Sequence, residues 1–223
     1  MKVSEIVSRV RAAIDELMVN DSGFLAQSSD EKNLDDIIKS KISDALYFVV
    51  EQAPLEKLTD SMLDTMSAEE IASKFSIDAS TMVATLELPT DALRIVEARL
   101  SSWTQFPKPE SDTSQVYLMQ SDPYAKGSWD RPVNIQTYES AKKVLKMYSA
   151  KTSADTLVFV YIKKPSVTDT SDNTDISIPS KLESALIYEV AGLTMVAFRD
   201  QVARDLLTIA DRYIGIDNKE SAA

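Results

Sequence analysis

The chain has 223 residues and a formal net charge of 24 minus 35, or −11, so it is long enough for a sizeable core and too acidic on average to grip nucleic acid through its phosphates. It contains no histidine, no cysteine and only four glycines, Gly23, Gly127, Gly192 and Gly215. Those absences remove the usual general base, the thiol nucleophile, any disulfide framework and the clustered glycines of a phosphate-cradling loop.

Taken in chain order, Val3, Ile6, Val7, Val10, Ile14 and Leu17 recur at helical spacing and predict a helix over 4–19, with Ser4 as its N-cap. After the polar stretch 20–30, Ile38, Ile42, Ala45, Leu46, Val49 and Val50 predict a second helix over 34–53, stopped by Pro54. Together they make an αα-hairpin. Ser67 and Glu70 have capping-box spacing and predict a short helix over 68–75, with a further helical turn at 60–66. A strand over 82–88 closes at Pro89, and a second is read over 94–103, a stretch with helical propensity as well.

Residues 104–134 hold four prolines and read as a long loop or extended hairpin, with Trp129 and the apolar residues at 116–119 able to pack. Ala141, Val144, Leu145 and Tyr148 share one face of a helix predicted over 138–148. The β-branched and aromatic run 157–162 is a strand, and the acidic, hydroxyl-rich 167–175 a mobile loop. From Pro179, with Ser180 as cap, an apolar pattern runs for roughly 34 residues to Tyr213, longer than a globular helix usually extends. It either kinks near 198–201 or projects toward a partner. The tail after Gly215 is expected to fray.

The expected fold is therefore α+β and mainly helical, with the αα-hairpin and long C-terminal helices around a small antiparallel sheet. As a single domain, 1–223, it has a helical core of 1–54 and 179–214, an insertion at 55–80, and a β and loop region at 81–178. No apolar run approaches the ~20 residues that span a bilayer, and the charged residues 1–11 lack a signal-peptide core, so a soluble protein is expected.

Few side chains offer chemistry. The acidic neighbours Asp35-Asp36 and Glu69-Glu70 cannot face one another across a cleft as glycosidase carboxylates do. Asp169, Asp172 and Asp175 suggest calcium, but an EF-hand's central glycine and distal glutamate are missing, and a solvated loop is the simpler reading. Ser180-Lys181 and Lys39-Ser40-Lys41 nominate a Ser–Lys dyad, yet adjacent helical residues diverge by about 100°. Lys142, Lys143, Lys146, Lys151, Lys163 and Lys164 make a basic stretch, read as a solvated face or a contact to an acidic neighbouring subunit rather than a nucleic-acid site. Trp103 and Trp129 flank the proline-rich loop as core plug or interface residue, and the methionines read as gap-filling core. No catalytic, cofactor-binding or metal residue is expected.

Two phrases carry a resemblance. One is the strand ending Leu86-Glu87-Leu88-Pro89-Thr90-Asp91-Ala92-Leu93-Arg94-Ile95-Val96. The other is the helix opening at Pro179, with Leu182, Ala185, Leu186 and Tyr188 in phase, after the strand at 157–165. In this order, behind an N-terminal αα-hairpin, they resemble the head–tail connector, or adaptor, proteins of tailed bacteriophages of the short-tailed type. The segments 55–80 and 104–134 depart from that pattern. The resemblance implies a virion protein, assembled in the host cytoplasm. Its homo-oligomeric ring, commonly of twelve subunits, joins the portal to the tail and encircles exiting DNA without reading its sequence. It implies no enzyme activity and no cofactor. The alternatives are another neck or tail-completion protein, or a metal-dependent cytoplasmic enzyme using carboxylates.

Overall fold

A computed structural model of the chain describes residues 1–17, 31–167 and 169–216. The polar connection 20–30, the expected helix end at 18–19 and the tail beyond Ile216 lie outside them. The chain divides into two compact units, Met1–Asp60 with Pro165–Ala223, and Ser61–Lys164.

The first unit is helical. α1 (Val3–Leu17) and α2 (Glu31–Gln52) each turn one apolar stripe inward: Val3, Ile6, Val7, Val10, Ala13 and Ile14 on α1, Ile38, Ile42, Ala45, Leu46, Val49 and Val50 on α2. Ser4 lies inside α1 rather than capping it, because the helix starts one residue earlier. Its first free N–H groups instead meet carbonyls of the 167–175 segment: Val3 donates to Thr174 (3.0 Å) and Ser4 to Asp172 (3.2 Å). The Met1 amino group and the Ile176 carbonyl pair at 3.0 Å, and Lys39 holds the Asp172 carboxylate at 2.7 Å. The expected mobile loop is thus tied down along the start of α1.

The long C-terminal pattern is two helices. The sequence expectation placed a possible break near 198–201, and there it falls: α5 (Glu183–Ala197) ends, Arg199 takes a left-handed φ of 58°, and the Asp200 side chain accepts from the Val202 N–H (2.9 Å) at the start of α6 (Val202–Ile214). Ser180 does not cap the helix: Pro179 takes that position ahead of a 3₁₀ turn, Ser180–Leu182. α5 is buried almost all round and touches α1, α2 and α6. α6 ends on Gly215 (φ 95°), whose N–H returns to Asp211. Lys57 Nζ donates to the last carbonyls of α6, at Tyr213 (2.8 Å) and Ile214 (2.9 Å), where a cation opposes the helix dipole.

The second unit overturns the mainly helical expectation. Its eight strands form two sheets, so the chain is α+β with a substantial β half rather than helices around a small sheet. A three-stranded antiparallel sheet has the order β1 (Leu63–Thr65), β8 (Leu157–Lys163), β4 (Ala92–Leu100). A five-stranded sheet has the order β2 (Phe75–Asp78), β3 (Val83–Glu87), β7 (Lys142–Tyr148), β6 (Val133–Glu139), β5 (Pro109–Ser111). β5 runs parallel to β6, and the other pairings are antiparallel. The helix expected at 138–148 is this β6–β7 hairpin. Ser140 (φ 50°) and Ala141 (φ 64°) form its two-residue turn, with positive φ at both positions, and Glu139 faces Lys142 across it. Turns of this kind favour Asn-Gly, so Ser-Ala hid the hairpin. The helix expected at 68–75 is α3 (Ala68–Lys74), with both arms of its capping box made. The Ser67 backbone N–H and hydroxyl hold the Glu70 carboxyl below its ordinary range. The turn expected at 60–66 is a single 3₁₀ turn, Asp60–Met62, running into β1.

The two sheets share one core. Ala84, Leu86, Leu145 and Met147 from the larger meet Ala98, Leu100, Leu157, Phe159 and Tyr161 from the smaller, with Met66 and Trp103 closing it. Buried among them, Asn134 of β6 donates from Nδ2 to the carbonyls of Ala98 (2.8 Å) and Pro107 (3.2 Å). Asn134→Ala strands both acceptors and is expected to cost about 2 kcal/mol. Urea denaturation followed by far-UV circular dichroism measures it, and an unchanged midpoint would refute this polar tie.

Candidate functional site

The segment between β4 and β6 is held by polar contacts that leave its apolar side chains outside. Ser114 caps a one-turn helix, α4 (Gln115–Leu118), by accepting from the Tyr117 N–H. Gln120 ties the arm from both ends of its amide: Nε2 donates to the Val116 carbonyl (2.7 Å), and Oε1 accepts from the Gly127 N–H (3.0 Å). Thr137 of β6 donates to the Asp112 carboxylate (2.7 Å), and the Ser149 hydroxyl donates to the Gly127 carbonyl. At Gly127 an added Cβ would lie 3.1 Å from the Val133 side chain, which keeps the arm close to β6.

Pinned this way, the arm turns Val116, Tyr117 and Gln120 partly inward and leaves Phe106, Leu118, Met119, Tyr124 and Trp129 exposed, with Tyr138 exposed nearby in sequence on the β6–β7 hairpin. Tyr124 is 99% accessible. Six of the ten exposed large apolar side chains among the described residues therefore fall in 106–138. Two carry a cation over the ring: Arg99 sits 5.1 Å from the centre of Phe106, and Lys151 sits 4.6 Å from that of Trp129. Apolar side chains concentrated on one exposed segment mark an interaction surface more readily than a reaction site. The proline-rich reading of 104–134 expected 116–119 to pack, and Val116 and Tyr117 turn partly inward while Leu118 and Met119 do not. One-turn helices have no sequence period by which to tell their two faces apart.

The residues with chemistry are engaged in their own unit. Asp35 pairs with Arg11 at 2.8 Å and Glu70 caps α3. Asp169 accepts from the Ser171 and Thr174 hydroxyls and the Ser171 N–H, which lower its pKa, Asp172 pairs with Lys39, and the Asp175 backbone bridges to Lys2. Among the described residues no three acidic side chains stand close enough to hold a metal ion. The Ser40 hydroxyl donates to the Ile37 carbonyl (2.7 Å) and Lys181 Nζ to the Glu56 carbonyl (3.3 Å), so neither nominated serine meets its lysine.

Three lysines of the basic stretch are paired within their own unit. Lys142 pairs with Glu87 (2.8 Å), Lys146 with Glu139 (2.5 Å), and Lys163 with Asp64 and Asp91 (3.4 Å each). Beside Lys163, burial and the neighbouring Asp91 push the Tyr161 phenol up to about 12. Of the tryptophans, Trp103 is the core plug, its indole N–H donating to the Ser149 carbonyl, while Trp129 is on the surface. Among the described residues the methionines are buried or half-buried except Met119. No helix among the described residues is long and apolar enough to cross a membrane. Sequence reasoning missed one group, Glu189, a carboxylate buried on α5 whose neighbours in the chain look like any other helical run. No protein-family model and no curated protein matches this chain.

Proposed function

We propose that this chain is a structural subunit of a phage virion, a head–tail connector whose homo-oligomeric ring joins the portal to the tail and lines the DNA exit channel. The observation that carries the reading is the exposed apolar arm at 106–138, fastened by Gln120, Ser114 and Thr137 so that Leu118, Met119 and Tyr124 face outward. A rigid arm of this kind suits contact with the next subunit, because its shape is set before the partner arrives. The lysine-rich stretch is not needed for that contact, since Lys142, Lys146 and Lys163 have acidic partners within their own unit. The net charge of −11, repeated around a ring, makes a lumen that repels DNA and lets it slide. Catalysis has no place in this reading.

The test is electron microscopy of the protein mixed with its portal, with mass measurement of the free chain alongside. Rings docked on the portal are expected. The double variant Leu118→Asp, Tyr124→Asp is expected to keep its circular dichroism spectrum and lose ring formation, since both side chains are already in water. A wild-type chain that stays monomeric in the presence of portal rings would overturn the proposal.

A further inference from the structure

We propose that the seam between α5 and α6 is a proton-controlled joint: with a proton on Glu189, α6 packs closed against α5, and without it α6 opens about the turn at 198–201. Glu189 is only 5% exposed, and among the described residues its carboxylate has no hydrogen-bond or ion-pair partner. A buried carboxylate without a partner is costly to keep charged. α6 presents Asp211, a second carboxylate, to it. α1 and α2 turn wholly apolar rows inward toward the core, Val3 to Ile14 and Ile38 to Val50, while their charged residues are turned elsewhere: Arg9 pairs with Glu5 and Glu183, Arg11 with Asp35, and Lys39 with Asp172. On α5 itself the other acid, Glu183, is engaged by Arg9. Burial first, and the charge of Asp211 second, hold the Glu189 proton up to about pH 7.

The geometry makes α6 the element that responds. The seam is tight at Gly192, one turn from Glu189, where an added Cβ would lie 2.5 Å from Leu207 Cδ2, so a charge repelled by Asp211 acts on two helices in close contact. The connection is short, with Arg199 held at φ 58°, a conformation that a non-glycine residue readily leaves once its packing loosens. On the outer side, a groove along α6 lined by Asp200, Arg204, Asp205 and Asp211 with Val196 and Leu207 already brings solvent to the joint.

The sign follows from the raised pKa. An open or unfolded Glu189 releases its proton near its ordinary value of 4.5 and the closed one near 7, so the closed state's advantage is complete below 4.5 and lost as pH rises through 7. Hydrogen exchange of the backbone amides of α6, corrected for intrinsic rates, is read at pH 5 and pH 8. Protection of α6 is expected to fall by up to about a hundredfold in the wild type, as a pKa raised by more than two units allows at tenfold per unit. Glu189→Gln, a neutral isostere, is expected to hold α6 closed at both pH values. Asp211→Asn is expected to move the wild-type transition to lower pH, because it removes the charge that repels ionised Glu189. Equal pH dependence in wild type and Glu189→Gln overturns the proposal. Should Glu189→Gln lose protection in α1 and α2 as well, the helical unit has not folded, and the Asp211→Asn midpoint decides: a downward move supports the joint and an unmoved midpoint overturns it.

Discussion

Trp103→Ala is expected to destabilise the β unit by about 4 kcal/mol, while Trp129→Ala costs at most about 1 kcal/mol. The two indoles lie 26 residues apart and differ only in their surroundings. Trp103 is 4% exposed and packs in the core shared by the sheets, with its N–H on the Ser149 carbonyl at 3.1 Å. Truncation leaves a cavity and an unpaired carbonyl together, and neighbours drawn from both sheets cannot collapse into it without breaking register. Trp129 is 45% exposed and loses little more than its contact with Lys151. Urea titrations followed by far-UV circular dichroism give both values. Fluorescence adds a check: the blue-shifted emission belongs to Trp103 and disappears in its variant. Equal losses for the two would contradict the assignment of one to the core and the other to the surface.

Gly192→Leu is expected to cost about 3 kcal/mol and to separate α5 from α6. Replacing a helical glycine ordinarily gains up to about 1 kcal/mol in propensity, so a loss must come from packing. The added Cβ would meet Leu207 Cδ2 at 2.5 Å and Cγ at 2.6 Å, with the Leu207 backbone N at 3.3 Å. The side chain of Leu207 can turn aside for a methyl, but the backbone behind it blocks a longer group. Leu207→Ala in the same chain is expected to recover about half of the loss, and a double-mutant cycle measures that coupling. Strictly additive effects would mean that the two residues do not meet.

How far the fold could be read from the residues depended on whether the signal was local. α1, α2 and the capping box of α3 were legible because helical period and Ser67–Glu70 spacing act within a few residues. β3, β4 and β8 were legible from β-branched and aromatic runs closed by proline or a turn. The hairpin of β6 and β7 was not. Val144, Leu145 and Tyr148 satisfy a helical spacing, while Leu145 and Met147 alternate equally well with Val144 and Lys146. What decides between the two is β3, which pairs Leu86 with Leu145 and Ala84 with Met147. A pairing partner more than fifty residues away leaves no trace in the local pattern.

The candidate surface shows the same division. The sequence by itself determined that histidine, thiol and glycine-loop chemistry are absent, that the chain is strongly acidic, and where most helices lie, because composition and short-range periodicity need no partner. The tertiary structure alone decided between a break at 198–201 and a projecting helix, and showed that Lys142, Lys146 and Lys163 face acids of their own unit, that Leu118 and Tyr124 point to water, and that Glu189 is buried without a cation. Each of these depends on which distant element lies opposite a side chain. Hydrophobic and electrostatic free energies are set by those surroundings, not by the residue's neighbours in the chain.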